Sequence, residues 1–290
     1  MELTKNFVKH KNPCANGFRW FLRNYQEGCD YQPLLNALVD AGRVDDACWL
    51  LTQFGPTDTI LKVDAIEADA IVFAGSLEVV GNIDVASIVR TGRTMRAGGG
   101  IRAGHSIVAG EDIRCGGSIR SEGLLTAGGN VRAGWGIEVQ TYLHCGGDVR
   151  TEWDLFCGSD LSVDGNALVG RDLTTRGTLR CSGNIRAGGA INSADRIWVG
   201  NGIECGMSIH CGSHLEASWG IKANETIVSI GSIKAGESLQ AEGEIQAGDG
   251  YGIYAGLNVH VDAWEASARV RARTKPVRLM SGWWSGDGLV

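Results

Sequence analysis

The sequence predicts an all-β solenoid: a triangular parallel β-helix with about 18 residues per coil and about ten coils, led by a small α-helical head. Three observations predict it. An aliphatic residue recurs every six positions from Ile71 to Ile245, beginning Ile71, Leu77, Ile83, Val89 and Met95, with Ala167 as the weak member. A small side chain lies two positions after most of these anchors, as at Ala97, Ala103, Cys115 and Ser121, and a glycine often follows it. The exposed position after the anchor repeats at a longer interval: Arg96, Arg114, Arg132 and Arg150 recur at every third hexad, Leu168 interrupts, and Arg186 resumes.

A fixed short period is the mark of a solenoid. Side chains two apart on a strand share one face, so the aliphatic and small residues point inward together. The rest of the unit is turn chemistry. Glycine is expected to supply positive φ at the corner, and the Asp, Asn or Ser before the next anchor to bond its own backbone. Three units of six make one coil of 18, hence three short sheets. At roughly 4.8 Å per coil the rod is on the order of 50 Å long.

Taken in order, residues 1–12 read as a short leader. Phe18, Phe21, Leu22 and Tyr25 then form one face of a helix. Tyr31, Leu34, Leu35 and Leu38 form a second, with Asp30 at the N-cap, Pro33 in the first turn and Gly42 as the stop. Val44, Ala47, Cys48 and Leu51 form a third, ended by Gly55-Pro56. The boundaries predicted are a head at 1–56, the solenoid at 57–261 and a Trp/Arg-rich tail at 262–290. A solenoid end exposes unpaired strand edges and an open core, so head and tail are expected to cover the two ends. Residues 57–70 alternate and read as an irregular first coil. At Gly250 the register slips by two, and after Val261 the pattern decays.

Composition narrows the function. The formal net charge of −6 argues against a general nucleic-acid binder. No apolar run approaches the roughly 20 residues of a membrane span, and Met1–Asn6 lacks the layout of a signal peptide. A cytoplasmic location is expected. Cys115, Cys145, Cys157, Cys181, Cys205 and Cys211 all occupy the small inward position and read as buried free thiols rather than metal ligands or disulfides. No cofactor is expected. His105, His144, His210, His214 and His260 are scattered, and no phosphate loop or nucleophile elbow is present, so the chain reads as a non-enzyme.

Two features point to a binding partner. Stacking like charges about 5 Å apart is unfavourable in a sheet, so the arginine column reads as a strip for an acidic protein surface. Neighbouring Glu111, Asp112, Asp148, Glu152 and Asp154 offer the alternative that the column is neutralised within the chain, and duplication of repeats offers another. Trp135 and Trp153 are also 18 apart, at the corner after Arg132 and Arg150, and Arg171 takes that corner on the next coil. Exposed tryptophans among arginines read as an interface patch. The candidate contact residues are therefore Arg96, Arg114, Arg132, Arg150, Arg171, Arg186, Trp135 and Trp153, with Trp283 and Trp284 of the tail as a second candidate.

The texture Gly-Ser-Ile-Arg, Gly-Asp-Val-Arg and Gly-Asn-Ile-Arg-Ala-Gly-Gly, spread over roughly 60–260, resembles the bactofilins and related polymer-forming repeat proteins. That resemblance implies a non-enzymatic, self-associating scaffold. The head and tail depart from it, because bactofilins polymerise through bare ends. The period also resembles the hexapeptide-repeat acyltransferases, whose catalytic histidine lies on or near a protruding loop. Here the hexads run from 71 to 250 without a loop, and no residue matches that histidine. The layout of helical head, hexad rod and Gly-Trp-Trp tail resembles uncharacterised bacterial proteins encoded beside polymorphic toxins, which implies an immunity or toxin-associated role. Residues 31–51 resemble one unit of the pentatricopeptide type, and a single unit reads no base sequence. The expectation is a capped β-solenoid that occludes or scaffolds another protein. A self-assembling polymer is the first alternative and an acyltransferase relative the second.

Overall fold

The computed structural model describes residues 2–286. Three parallel sheets form the rod, with 13, 11 and 12 strands, here sheets I, II and III. Sheet I starts at Ile60–Val63, sheet II at Ile66–Ala68 and sheet III at Ile71–Phe73, and the chain visits them in that order on each coil as far as Ile253–Tyr254. Most strands are three residues long with the pattern buried, exposed or half-exposed, buried, as in Ile113–Cys115 and Val131–Ala133. Both anchor and small residue thus enter one continuous core from Phe73 to Ala272. Strands pair three hexads apart throughout the regular part: Ile113 faces Met95 on one side and Val131 on the other.

The corners are built differently from the sequence expectation. None of the glycines between 75 and 248 has positive φ. They are required by the closeness of successive coils. A Cβ on Gly110 would lie 2.1 Å from the carbonyl oxygen of Gly92. The Asp and Asn side chains do not bond their own turns either. They reach to the next coil. Asn130 N–H donates to Asp112 Oδ1, Asp148 N–H to Asn130 Oδ1, Asn166 N–H to Asp148 Oδ1 and Asn184 N–H to Asn166 Oδ1, at 2.7–2.9 Å. The ladder ends on Gly202 N–H, which donates to Asn184 Oδ1 at 3.2 Å. The glycines before Asn130, Asp148, Asn166 and Asn184 make room: a Cβ on Gly129 would meet Asp112 Oδ1 at 2.4 Å.

The inward cysteines join this scheme. Cys145 Sγ donates to Gly129 O, and Cys181 Sγ to Gly165 O, each 16 residues earlier, at 3.1 and 3.2 Å. Ser193 uses Gly177 O in the same way at 2.9 Å. The small inward position therefore both fills the core and ties down a corner carbonyl. Burial pushes the thiols of Cys115, Cys145 and Cys181 up to about 11.

The head is more ordered than a leader and three helices. Glu2–Leu3 pairs antiparallel with Cys29–Asp30, and α1 (Lys5–His10) precedes α2 (Ala15–Asn24), α3 (Tyr31–Asp40) and α4 (Val44–Phe54). Tyr25 lies at the C-cap of α2 rather than within it. The head has its own core, centred on Phe21, Tyr31, Leu34, Leu35 and Leu51, which Val72 and Ala74 of the rod complete. Gln32 of α3 donates to Val72 O at 3.0 Å and accepts from Ala74 N–H at 2.8 Å. The head thereby closes the outer edge of sheet III. The first strands of sheets I and II form the ends of their sheets, and Ile60 there is 53% exposed. Coverage of this end is partial.

The tail adds strands. Arg269–Arg271 and Trp283–Trp284 extend sheet I, and Leu279–Ser281 extends sheet III. A short helical excursion at Val261–Ser267 breaks the hexads and the chain then returns to the sheets. Strand pairing thus runs beyond residue 261 to Trp284, giving about twelve coils.

Candidate functional site

Sheet I carries the arginine column on its outer face. In register it reads Lys62, Glu78, Arg96, Arg114, Arg132, Arg150, Leu168, Arg186, Glu204 and Lys222. The acids expected to neutralise it do so in part. Arg114 pairs with Asp112 at 2.9 Å and Arg150 with Glu152 at 3.1 Å, while Arg186 pairs with Glu204 at 2.5 Å, an acid outside the expected set. Glu111 instead holds Arg93, and Asp148 serves the corner ladder. Arg132 has an arginine on each side and no ion pair among the described residues. Arg96 faces Glu78, whose carboxyl is held below its usual range by its hydrogen bond to Lys62, with smaller help from Arg96.

The corner between sheets I and II carries the aromatic stack. Trp135 and Trp153 lie with ring centroids 6.1 Å apart and planes 18° apart. The Arg171 guanidinium continues the column 5.9 Å from the Trp153 ring, and Asp154 stands 4.0 Å from Arg171. Both rings are more than half exposed, Trp135 at 57%. The residues below them explain why tryptophan fits. On the coils before Trp135 and Trp153 the ladder position holds Ser118 and Gly136, so no Asp or Asn side chain occupies the corner. Before Trp135 the column holds Gly117 and Gly99, which leave a shallow groove of about 1140 Å³ beside the stack. Arg102 and Arg120 flank it on sheet II, paired with Asp84 at 3.7 Å and Glu138 at 2.6 Å.

Arg132, Arg150, Trp135, Trp153 and Arg171 thus share one edge of the rod. Arg96, Arg114 and Arg186 extend the strip along sheet I. Trp283 and Trp284 do not join it. They form the last strand of sheet I, beyond the strands at Ile203–Cys205, Ile221–Ala223, Leu239–Ala241 and Arg269–Arg271. Trp284 packs against the core, and Trp283 is 44% exposed.

Sequence reasoning missed a cavity in the head, between α2, α3 and α4, lined by Trp20, Phe21, Trp49 and Asp46 among others. The aromatic residues were legible as core, but not the gap that they leave. Among the described residues no three His, Cys, Asp or Glu side chains converge as metal ligands. No helix among them is long and apolar enough to cross a membrane.

No curated protein and no solved structure matches the chain. Its similarity lies at the N-terminus, where residues 1–54, the helical head, match the YdhT N-terminal domain family.

Proposed function

We propose that the protein works by binding another protein, without turnover, through the Arg/Trp edge of its solenoid. The observation that supports this most is the exposed Trp135–Trp153 stack, continued by Arg171 and set beside Arg132, which has no acid partner among the described residues. Two adjacent half-exposed indoles are unfavourable in water and are typical anchors of interfaces. An unneutralised guanidinium beside them favours a partner with an acidic surface. The flat, rigid strand array presents these groups at fixed spacing, which suits occlusion or scaffolding.

The test is a pull-down from the native host with the wild type and the Arg132→Ala/Arg150→Ala/Trp135→Ala/Trp153→Ala variant, each followed by mass measurement in solution. One partner retained by the wild type and lost by the folded variant supports the reading. A partner retained equally by both overturns the choice of edge.

A second reading, a bactofilin-like polymer, draws on the free outer edges of Ile60–Val63 and Ile66–Ala68. Long assemblies of the purified chain that survive the quadruple substitution favour it. Removal of residues 1–56 separates the two further: a cap predicts that truncation promotes stacking, whereas a polymer assembles with or without the head.

A further inference from the structure

The head cavity measures about 450 Å³ and opens between α2, α3 and α4. That volume lies within the roughly 300–1,000 Å³ typical of small-molecule sites. Four aromatic side chains line it: Phe18, Trp20, Phe21 and Trp49. Leu34 and Leu50, both buried, close its apolar base. The polar groups gather on one side, where Asp45 and Asp46 stand in the first turn of α4. Cys14 stands beside them: its thiol donates to Asp46 Oδ1 at 3.7 Å, and its sulfur caps α2 by accepting from Gly17 N–H at 3.2 Å.

The charge at this rim is unbalanced. Arg43 pairs with Asp46, and its guanidinium lies 5.7 Å from the centre of the Trp20 ring. Asp45 is exposed and has no ion pair among the described residues. Two carboxylates against one guanidinium leave a charge of −1 at the mouth. Aromatic faces with a nearby carboxylate select organic cations, because the ring quadrupole and the full charge act on the same ligand group. The chain already places one cation on Trp20 in this way. Trp49 and Asp45 offer the same chemistry unoccupied by a side chain. The approach is also shaped: Asn12, at the mouth, has φ of 54°, alone among the described non-glycine residues. Asparagine tolerates that region well, so the turn into Pro13 holds open at little strain.

We propose that this cavity binds a small organic monocation, with its apolar body against Phe18, Phe21 and Trp49 and its ammonium at Asp45. The site is independent of the Arg/Trp edge, which lies on the rod.

The experiment titrates the full chain by calorimetry with three probes of one shape: 2-phenylethylammonium, 2-phenylethanol and 3-phenylpropanoate. A second readout is the rate at which Cys14, exposed at the cavity, is alkylated by neutral iodoacetamide. The ammonium should bind about tenfold more tightly than the alcohol and the carboxylate should bind least. Bound ammonium should slow alkylation of Cys14. Asp45→Asn should remove most of the preference for ammonium while leaving the affinity for the alcohol in place. Phe18→Ala should weaken ammonium and alcohol alike. Equal binding of ammonium and carboxylate, or unchanged selectivity in Asp45→Asn, overturns the proposal. So does an absence of both heat and Cys14 protection at concentrations up to about 10 mM, where sites of ordinary weak affinity fill.

Discussion

Ala74 N–H, just past the first strand of sheet III and on its open side, donates to Gln32 Oε1 at 2.8 Å. The same carboxamide donates to Val72 O, so one side chain takes the place of the strand that is missing there. Gln32→Ala leaves two edge groups without this partner and should loosen the head from the rod. The expected cost is about 1–3 kcal/mol. Amide exchange at Ala74 reads it directly: faster exchange there, with exchange in the middle of the rod unchanged, is the expected result.

The corner ladder should be sensitive in its middle. Asn166 accepts from Asn184 N–H and donates through Nδ2 to Asp148, so Asn166→Ala removes a side-chain bond on each side and leaves only the backbone N–H of residue 166 on Asp148. A loss of about 1–2 kcal/mol in urea unfolding is expected. Asn166→Asp keeps the acceptor but sets a carboxylate oxygen against Asp148 Oδ1 in place of the donor, and should cost more at neutral than at acid pH.

Gly110→Ala tests the packing of one coil on another. The new methyl would meet Gly92 O at 2.1 Å, and backbone has to move to relieve it. Overpacking of this kind costs about 1–3 kcal/mol. Thermal unfolding should drop accordingly, whereas a corner glycine kept only for flexibility would tolerate alanine.

Acid stability has a marked contributor in Asp112. Burial raises its pKa, but hydrogen bonds from Asn130 and the charge of Arg114 outweigh that, and the carboxyl sits below its ordinary range. Its folded value being depressed, its contribution is fully present above the unfolded pKa of about 3.9 and is lost as pH falls through the folded value. Asp112→Asn retains the acceptor oxygen for the ladder and removes this titration. The variant should lose stability at neutral pH and less of it on acidification, measured as unfolding midpoints between neutral and strongly acid pH.

The cysteines should divide by reactivity. Cys115, Cys145 and Cys181 are buried, hydrogen-bonded and held as thiols up to about pH 11. Cys14 is exposed. Native alkylation at pH 8, a little below the ordinary thiol pKa of about 8.5, followed by mass mapping should label Cys14 and spare these three.

The rod was legible because its period is strict and short. Ile113 meets Met95 and Val131 as the spacing of three hexads requires, and the arginine and tryptophan columns follow from the same spacing. The corners were not legible in kind. Gly110 and Asn130 look like turn residues in a sequence, yet each answers to a residue one full coil away. The last coils were lost because their spacing is irregular: Leu239 pairs with Val270, across a helical excursion. In the site, the partners of Arg114 and Arg150 are sequence neighbours and could be named. That Arg132 would lack one depended on where Asp148 points, and the ladder decides that.

Because every ladder rung spans one full coil, the protein responds unequally to changes in length. Loss or gain of three consecutive hexads within 83–245 would remove or add one rung in each column and keep the rest aligned. Loss of a single hexad would rotate everything downstream by one face. A hexad lost between Trp135 and Trp153 would part the two rings, the asparagines on either side of the loss would meet the wrong corner, and the tail would arrive at the wrong sheet. Such a chain can lengthen or shorten only in whole coils, so its natural unit of variation is three times the unit of its pattern.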